Sequence, residues 1–187
     1  IAAYIRENPL KEIRKESELK EYFIACMELA NKQVYTFAHK HPENLGMATT
    51  ALIAYVAEDA AYIVNVGDSR MYFMKGAKIK QITKDHSYVQ HLLDLGQITE
   101  KEAATFPNKN IITRAVGTEN SVRADFYQEN ASEGAFIMLC TDGLTNFISN
   151  EEIRKIVVDD APKDLDQIKL SLTVRKLIDT ANQNGGA

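Results

Sequence analysis

Two aspartates stand where apolar stretches of the sequence end. Asp68 follows Gly67 in IVNVGDSR, and Asp142 precedes Gly143 in FIMLCTDGL. An Asp at the end of a buried strand presents a short carboxylate, and a neighbouring Gly lets the backbone turn or a ligand approach closely. Carboxylate oxygens are the ligands that hard divalent cations prefer. The pattern fits a cation site and, equally well, two aspartates that each cap a turn.

The four histidines give weaker signals. His39 and His41, in HKHPEN, have no Cys or third His near them, so we interpret them as part of a solvated loop. His86 and His91, in DHSYVQH, miss the i, i+4 spacing of a helical zinc motif, which predicts a surface or capping role. The sequence contains neither a Gly-rich phosphate loop of the Walker or dinucleotide type nor a G-x-S-x-G nucleophile elbow.

Composition excludes several classes of protein. The 26 acidic and 22 basic residues of this 187-residue chain give a net charge of −4. Little positive charge is available for counterion release, so we expect no nucleic-acid partner. Cys26 and Cys140 lie in apolar stretches without metal-ligand spacing, which predicts two buried free thiols in a reducing cytoplasm. No apolar run approaches the roughly 20 residues of a membrane-spanning helix, so we expect no membrane insertion.

The first half of the chain predicts one helix followed by two hairpins. Apolar residues recur three or four apart between positions 17 and 38, which predicts an amphipathic helix with Ser17 as its N-cap. The segment ATTALIAYVAEDAAYIVNVG predicts an antiparallel hairpin that turns at Glu58 and Asp59. The segment RMYFMKGAKIKQIT predicts a second hairpin that turns at Lys75 and Gly76.

The second half mixes helices and strands. SYVQHLLDLG and TEKEAATF predict two short helices in an insert on the surface. VRADFYQEN and AFIMLC predict strands, and the unbroken apolar run of the second is typical of burial on both faces. NEEIRKIVVDD and DQIKLSLTVRKLIDTAN predict closing helices. Consecutive strands enclosed by helices, without regular alternation, indicate an α+β layered sandwich.

Four segments, in this order, resemble the metal-dependent protein phosphatases of the type 2C family, especially bacterial single-domain members. They are LGMATTALIAYV, YIVNVGDSRMYFMKGAKIKQITKDHSYVQHLLDLGQIT, NIITRAVGT and FIMLCTDGLTNFISNEEI. The resemblance implies one domain over residues 1–187, incomplete at both ends, with a flap subdomain at 85–113. It implies a four-layer α-β-β-α sandwich whose two central antiparallel sheets are flanked by helices. It also implies hydrolysis of phosphoserine and phosphothreonine by a water activated on two Mn²⁺ or Mg²⁺ ions.

The resemblance also assigns roles to individual residues. Asp142 of TDG matches the acid that ligates one of the paired metals. Asp68 of GDSR matches the acid that, together with Asp142, can hold a third and weaker ion. The remaining matched positions support these motifs or belong to the flap, which is thought to tune substrate access: Gly67, Ser69, Arg70 and Gly143; Asp85, His86, Ser87, Asn110 and Thr113. The implied partners are phosphorylated proteins, including a cognate bacterial serine/threonine kinase, in the cytoplasm.

The chain departs from the family pattern at its ends. The family's first metal-ligand Asp and its Asp-Gly-Met-Gly-Gly-type motif would precede Ile1, and its Asp-Asn motif would follow Ala187. With two family-matched carboxylates, the chain as given is expected to be inactive because it does not assemble the binuclear site. Open sheet edges would permit strand exchange between chains. The alternative hypothesis is a non-catalytic, phosphatase-like domain that binds a protein partner.

Overall fold

The computed structural model describes residues 1–10, 15–57, 59–107, 109–131, 135–159 and 166–186. The elements, in chain order, are α1 (Ala2–Glu7), α2 (Glu16–Lys40), a 3-10 turn (Pro42–Asn44), β1 (Ala51–Ala57), β2 (Ala60–Val66), β3 (Arg70–Lys75), β4 (Lys78–Gln81), α3 (Tyr88–Asp94), α4 (Glu100–Ala104), β5 (Asp125–Asn130), β6 (Phe136–Cys140), α5 (Asp142–Thr145), α6 (Asn150–Arg154), a π-helical turn (Lys155–Asp159) and α7 (Gln167–Gln183). No helix of these described ranges is both long and apolar enough to cross a membrane.

The elements form two compact units. The first comprises Ile1–Ser69 and Lys84–Asn130, and the second comprises Arg70–Thr83 and Ala131–Ala187. The described residues of each unit form one three-stranded sheet, with strand order β1-β2-β5 in the first and β4-β3-β6 in the second. All pairings are antiparallel. The predicted α+β class with two antiparallel sheets is confirmed, and so are both predicted hairpins, although Glu58 lies outside the described residues.

Helix α2 covers one face of the first sheet. Leu19, Phe23 and Met27 recur along one side of α2 and are buried together with Val64 and Val66 of β2. Burial of such side chains stabilises the unit by roughly 1.5–3 kcal/mol each. The helix begins at Glu16 with Lys15 in the N-cap position. The predicted N-cap at Ser17 is therefore wrong, because the helix starts before it.

The opposite face of β2 is buried as well. Ala61, Ile63 and Asn65 alternate with the residues that face α2, and they are also inaccessible to solvent. Strand β2 is therefore buried on both faces, and it has a neighbouring strand on each side.

The second unit buries its core between its sheet and its own helices. Tyr72 and Met74 of β3 pack with Ile153, Ile156 and Leu177. Strand β6 lies at the edge of this sheet, and its Leu139 is 46% exposed. The prediction that AFIMLC is buried on both faces is therefore wrong. Cys26 is buried and Cys140 is partly exposed, and both thiols are free, so burial was predicted correctly for Cys26 alone.

The insert between β4 and β5 contains the two predicted helices. Ser87 caps α3 by accepting from Gln90 N–H, and Thr99 caps α4 in a capping box with Glu102. Val89 and Leu92 of α3 are nonetheless buried. The insert therefore has an apolar side of its own and does not lie wholly on the surface as predicted.

Candidate functional site

Asp68 lies in the short connection between β2 and β3, directly after the predicted strand end. The residue is half-buried, with buried Gly67 and Ser69 on either side, and half-buried Arg70 begins β3. Gly67 has φ +111°, and a Cβ placed on it would lie 2.6 Å from Cβ of Thr50. Such a φ and such a close contact both require glycine. The backbone conformation and the contact with Thr50 therefore both require a glycine at the position before Asp68.

Side chains of the first unit hold both neighbours of Asp68. The hydroxyl oxygens of Ser69 and Thr50 are 2.9 Å apart and share a hydrogen bond. Nδ2 of Asn65 donates to the carbonyl oxygen of Gly67 at 3.1 Å. These bonds fix the backbone from which the Asp68 carboxylate projects.

His86 bonds to Gly67 through both its side chain and its backbone. The N–H of Gly67 donates to Nδ1 of His86 at 3.0 Å, and the N–H of His86 donates to the Gly67 carbonyl oxygen at 3.0 Å. His86 is 6% exposed, so the predicted surface role is wrong. Because Nδ1 accepts, the neutral ring carries its proton on Nε2, which lies 3.1 Å from Oδ2 of Asp125.

Arg114 completes this network, in which His86 is buried and both Arg114 and Asp125 are partly exposed. Its Nη1 donates to Oδ1 of Asp125 at 2.9 Å and to the carbonyl oxygen of Arg123 at 3.0 Å, which uses both of its hydrogens. The same Nη1 lies 2.9 Å from Nε2 of His86. Protonation of the imidazole would place a positive charge beside the guanidinium of Arg114 and is therefore unfavourable.

The network shifts two pKa values. Burial lowers the pKa of His86, and the charge of Arg114 lowers it further, against the opposing influence of Asp125 and Asp85. Burial alone would raise the pKa of Asp125, but the hydrogen bonds from His86 and Arg114 outweigh it and lower that pKa. The pair is therefore a neutral imidazole beside an ionised carboxylate at neutral pH.

The residues predicted for the flap divide into two groups. The first group lies at the start of the insert and consists of Asp85, His86 and Ser87. Thr113, near the end of the insert, lies next to them, and its N–H donates to the His86 carbonyl oxygen at 2.8 Å. An isolated antiparallel bridge between Ser87 and Ile112 also joins the two ends of segment 85–113, which we call the base of the segment. Asn110 lies farther along the insert and is exposed. The role of segment 85–113 as a flap stays a prediction.

Asp142 lies at the start of the short helix α5. It follows β6 by way of Thr141, which occupies the N-cap position without a side-chain cap bond. Oδ2 of Asp142 accepts from Nδ2 of Asn146 at 3.2 Å. The residue is half-buried, and the adjacent Gly143 is exposed. A Cβ on Gly143 would meet Thr141 Oγ1 at an ordinary 3.4 Å, so packing in this structure does not require glycine there.

An apolar groove of about 290 Å³ opens beside Asp142 in the second unit. Thr141 and Gly143 lie at the groove, and its other lining residues come from β6, α5 and α7: Met138, Leu139, Cys140, Leu144, Val174, Leu177, Ile178, Ala181 and Asn182. Among the residues that the structure describes, no group of three or more His, Cys, Asp or Glu side chains is arranged to hold a metal ion. Asp68 and Asp142 belong to the first and second units respectively.

Sequence reasoning missed three residues of the network around Gly67. Asp125 stands in VRADFYQEN, which predicts a strand, and Arg114 stands in NIITRAVGT, a segment of the family resemblance that assigned Arg114 no role. Asn65 did have a signal, since it is a polar residue in the apolar run IVNV. Its side chain is fully buried, and its Oδ1 has no hydrogen-bond partner in the described part of the chain.

Comparison with known proteins relates this site to a family. A family model described as protein phosphatase 2C matches residues 3–91. Protein phosphatase PhpP of Streptococcus pneumoniae is 35% identical over 170 residues, which cover 91% of this chain and 66% of PhpP. The chain therefore spans just under two thirds of the length of that relative.

Solved structures show the same similarity. The serine/threonine phosphatase of S. agalactiae superposes with a TM-score of 0.83 at 31% identity, over 94% of this chain and 69% of that one. The catalytic domain of the serine/threonine protein phosphatase PstP, in complex with two manganese ions, superposes with a TM-score of 0.79 at 28% identity. That match covers 99% of this chain and 73% of the PstP chain.

Proposed function

Because this chain belongs to the protein phosphatase 2C family, we propose that the protein hydrolyses phosphoserine and phosphothreonine in other proteins with the help of Mn²⁺ or Mg²⁺. The observation that carries the proposal is the position of Asp68 and Asp142. Each stands in its family motif, separated by one residue from the end of a strand, Asp68 after β2 and Asp142 after β6. Substrates would include a cognate bacterial serine/threonine kinase, in a reducing cytoplasm that suits the two free thiols.

The residues of this chain would act by holding and orienting cations. A bound Mn²⁺ or Mg²⁺ supplies Lewis acidity, which acidifies a water and neutralises phosphate charge. Asp68 and Asp142 offer the carboxylate oxygens that such hard cations prefer. Asn146 fixes Oδ2 of Asp142 and so orients that carboxylate, as hydrogen bonds to metal ligands commonly do. The hydrogen bonds that hold Gly67 and Ser69 fix the backbone on both sides of Asp68 and so orient its carboxylate.

The two acids fit a divalent cation in chemistry but supply part of a coordination shell. No set of three candidate ligand side chains lies together among the described residues, whereas these cations take about six or more oxygen ligands. Other groups must complete the shell. The proposal is therefore best tested on the full-length gene product.

The test is hydrolysis of a phosphothreonine peptide with and without Mn²⁺. Asp142→Asn removes a ligand charge, and we expect it to lower turnover by at least about 100-fold. Asp59→Asn is the matched control, since Asp59 is an exposed residue of the turn between β1 and β2, and it should retain wild-type turnover. Full turnover by Asp142→Asn would contradict the proposal. Binding of the peptide without hydrolysis by the wild type would instead favour the non-catalytic hypothesis.

A further inference from the structure

One buried residue joins three parts of the first unit. His86 exchanges two hydrogen bonds with Gly67, which directly precedes Asp68. The β2 ladder ends with the pair of Val66 and Ala51, so the Gly67 N–H lies beyond the reach of the sheet. Its acceptor is a side-chain atom, Nδ1 of His86.

The imidazole is itself fixed from the other side. Its Nε2 lies 3.1 Å from Oδ2 of Asp125, the first residue of β5. Arg114 holds the second oxygen of the same carboxylate at 2.9 Å. The ring therefore has one orientation in which Nδ1 accepts from Gly67 and Nε2 donates to Asp125.

The backbone of His86 adds a third connection. Its carbonyl oxygen accepts from the N–H of Thr113 at 2.8 Å, and Ser87 forms a bridge with Ile112. These bonds close the base of segment 85–113. A displacement of that base would move His86 and, through it, Gly67.

We infer that His86 is a positioning residue that sets the Asp68 carboxylate and couples it to the base of segment 85–113. The inference rests on the proposed function, because the position of Asp68 affects turnover only if Asp68 ligates a catalytic cation. Displacements of about 1 Å in a catalytic group can cost about 100-fold in rate. His86 touches no reacting atom in this scheme and acts through Gly67.

Two variants of the full-length gene product separate the bonds of His86. His86→Leu removes the acceptor for Gly67 and the donor to Asp125 while keeping most of the side-chain volume. His86→Asn retains an acceptor, since its Oδ1 lies close to the position of Nδ1, and loses the donor to Asp125. Asn31→Ala is the matched control for lost stability. It removes buried bonds to Gly117 N–H at 2.7 Å and to the Glu119 carbonyl oxygen at 2.9 Å without touching Gly67.

The readouts are turnover, KM for a phosphothreonine peptide, and Mn²⁺ binding followed by electron paramagnetic resonance. We expect His86→Leu to lower kcat at saturating Mn²⁺ by about tenfold or more, to leave KM within about twofold, and to weaken Mn²⁺ binding. His86→Asn should recover most of both losses. Asn31→Ala should lower the melting temperature as much as His86→Leu does and leave kcat and Mn²⁺ binding unchanged.

The outcomes distinguish the two proposals. If the wild type shows no Mn²⁺-dependent turnover, the proposed function and this inference both fail. If the wild type turns over and His86→Leu behaves like Asn31→Ala, the inference alone fails. Equal impairment of His86→Asn and His86→Leu would also overturn it, because the bond to Gly67 would then not be the cause. If His86→Leu does not fold, the comparison of His86→Asn with wild type and Asn31→Ala decides.

Discussion

The side chain of Thr50 occupies the space that a Cβ on Gly67 would need, since the two Cβ positions would lie 2.6 Å apart. The same threonine bonds through its hydroxyl to Ser69 at 2.9 Å. Thr50 therefore contacts both residues that flank Asp68. This connection between β2 and β3 has little freedom to take another path, and the position of the Asp68 carboxylate depends on it.

Gly67→Ala should destabilise the protein strongly. The methyl group would clash with Thr50, and the φ of +111° is unfavourable for any residue with a Cβ. Backbone strain of about 1–3 kcal/mol and overpacking of about 1–3 kcal/mol predict a combined loss of roughly 3 kcal/mol in the free energy of unfolding. Urea denaturation measures this loss.

Gly76→Ala is the control for this substitution. Gly76 has φ +54°, and no atom lies within 4 Å of its added Cβ, so we expect a loss of only about 1 kcal/mol from the left-handed backbone. Thr50→Ser removes the methyl group that faces Gly67, and it should recover part of the loss in the Gly67→Ala background. Equal losses for Gly67→Ala and Gly76→Ala would show that the contact with Thr50 does not matter.

The stability of the protein should fall on mild acidification because of His86. Burial and Arg114 lower its pKa in the folded state, with Asp125 and Asp85 opposing them, whereas the imidazole of the unfolded chain titrates near about 6.5. Below that value the unfolded chain binds the proton more readily, so protons favour unfolding. The contribution is complete above pH about 6.5 and is lost as the pH falls toward the lower, folded pKa.

Urea midpoints between pH 7.5 and 5 measure this dependence. His86→Asn should flatten the curve in that range, since it removes the titrating group. His91→Asn is the matched control, because it replaces an exposed histidine of α3 in the same way. An unchanged slope in His86→Asn would mean that His86 is not protonated on unfolding in this range.

Local patterns predicted the elements well and their surroundings less well. The period of apolar residues predicted α2, and turn residues predicted both hairpins, because these signals depend on neighbours in sequence. AFIMLC reads the same for a central strand and for an edge strand, since its burial depends on which strands pair with it. The structure pairs β6 with β3 on one side, and Leu139 is exposed as a result.

For the candidate site too, local features were predicted from the sequence and long-range contacts were not. The position of Asp68 and Asp142 just past the ends of strands was predicted correctly, whereas their role as cation ligands stays a prediction. His86 was misread because the spacing to His91 was the available clue, whereas its partners lie 19, 28 and 39 positions away at Gly67, Arg114 and Asp125. Contacts at such separations are set by the fold, and a single sequence contains no local pattern for them.

Ser149→Ala should lower the free energy of unfolding by about 1 kcal/mol, the usual cost of losing an N-cap. Ser149 and Glu152 form a reciprocal capping box at the start of α6, and Ile153 of that helix is in the core of the second unit. Urea denaturation measures the change. Ser149→Asp keeps a capping oxygen and should remain close to wild type. Comparable losses for both variants would contradict a capping role.

Asp68→Asn and Asp142→Asn should differ in their effects on Mn²⁺ binding and on turnover. The family resemblance assigns Asp142 to the paired ions and Asp68, together with Asp142, to a third and weaker ion. Loss of a ligand to the paired ions should weaken Mn²⁺ binding and abolish turnover together, whereas loss of the auxiliary ligand should affect turnover more than the affinity of the pair. We therefore expect Asp68→Asn to bind the paired Mn²⁺ within about tenfold of wild type, below the loss expected of Asp142→Asn.

The measurement is Mn²⁺ titration of the full-length gene product, followed by kcat at saturating Mn²⁺ for each variant. Asn is close to isosteric with Asp and can keep the backbone turn after Gly67, so a change in kcat reports the lost charge rather than a lost fold. Equal melting temperatures of the two variants would verify this. Ser69→Ala offers a contrast, since it removes the hydrogen bond to Thr50 that helps to orient Asp68 but keeps the charge of the Asp68 carboxylate. If Asp68→Asn retains the wild-type kcat at saturating Mn²⁺ while Asp142→Asn is inactive, Asp68 has no part in turnover, and the half-buried carboxylate beside Gly67 serves the turn alone.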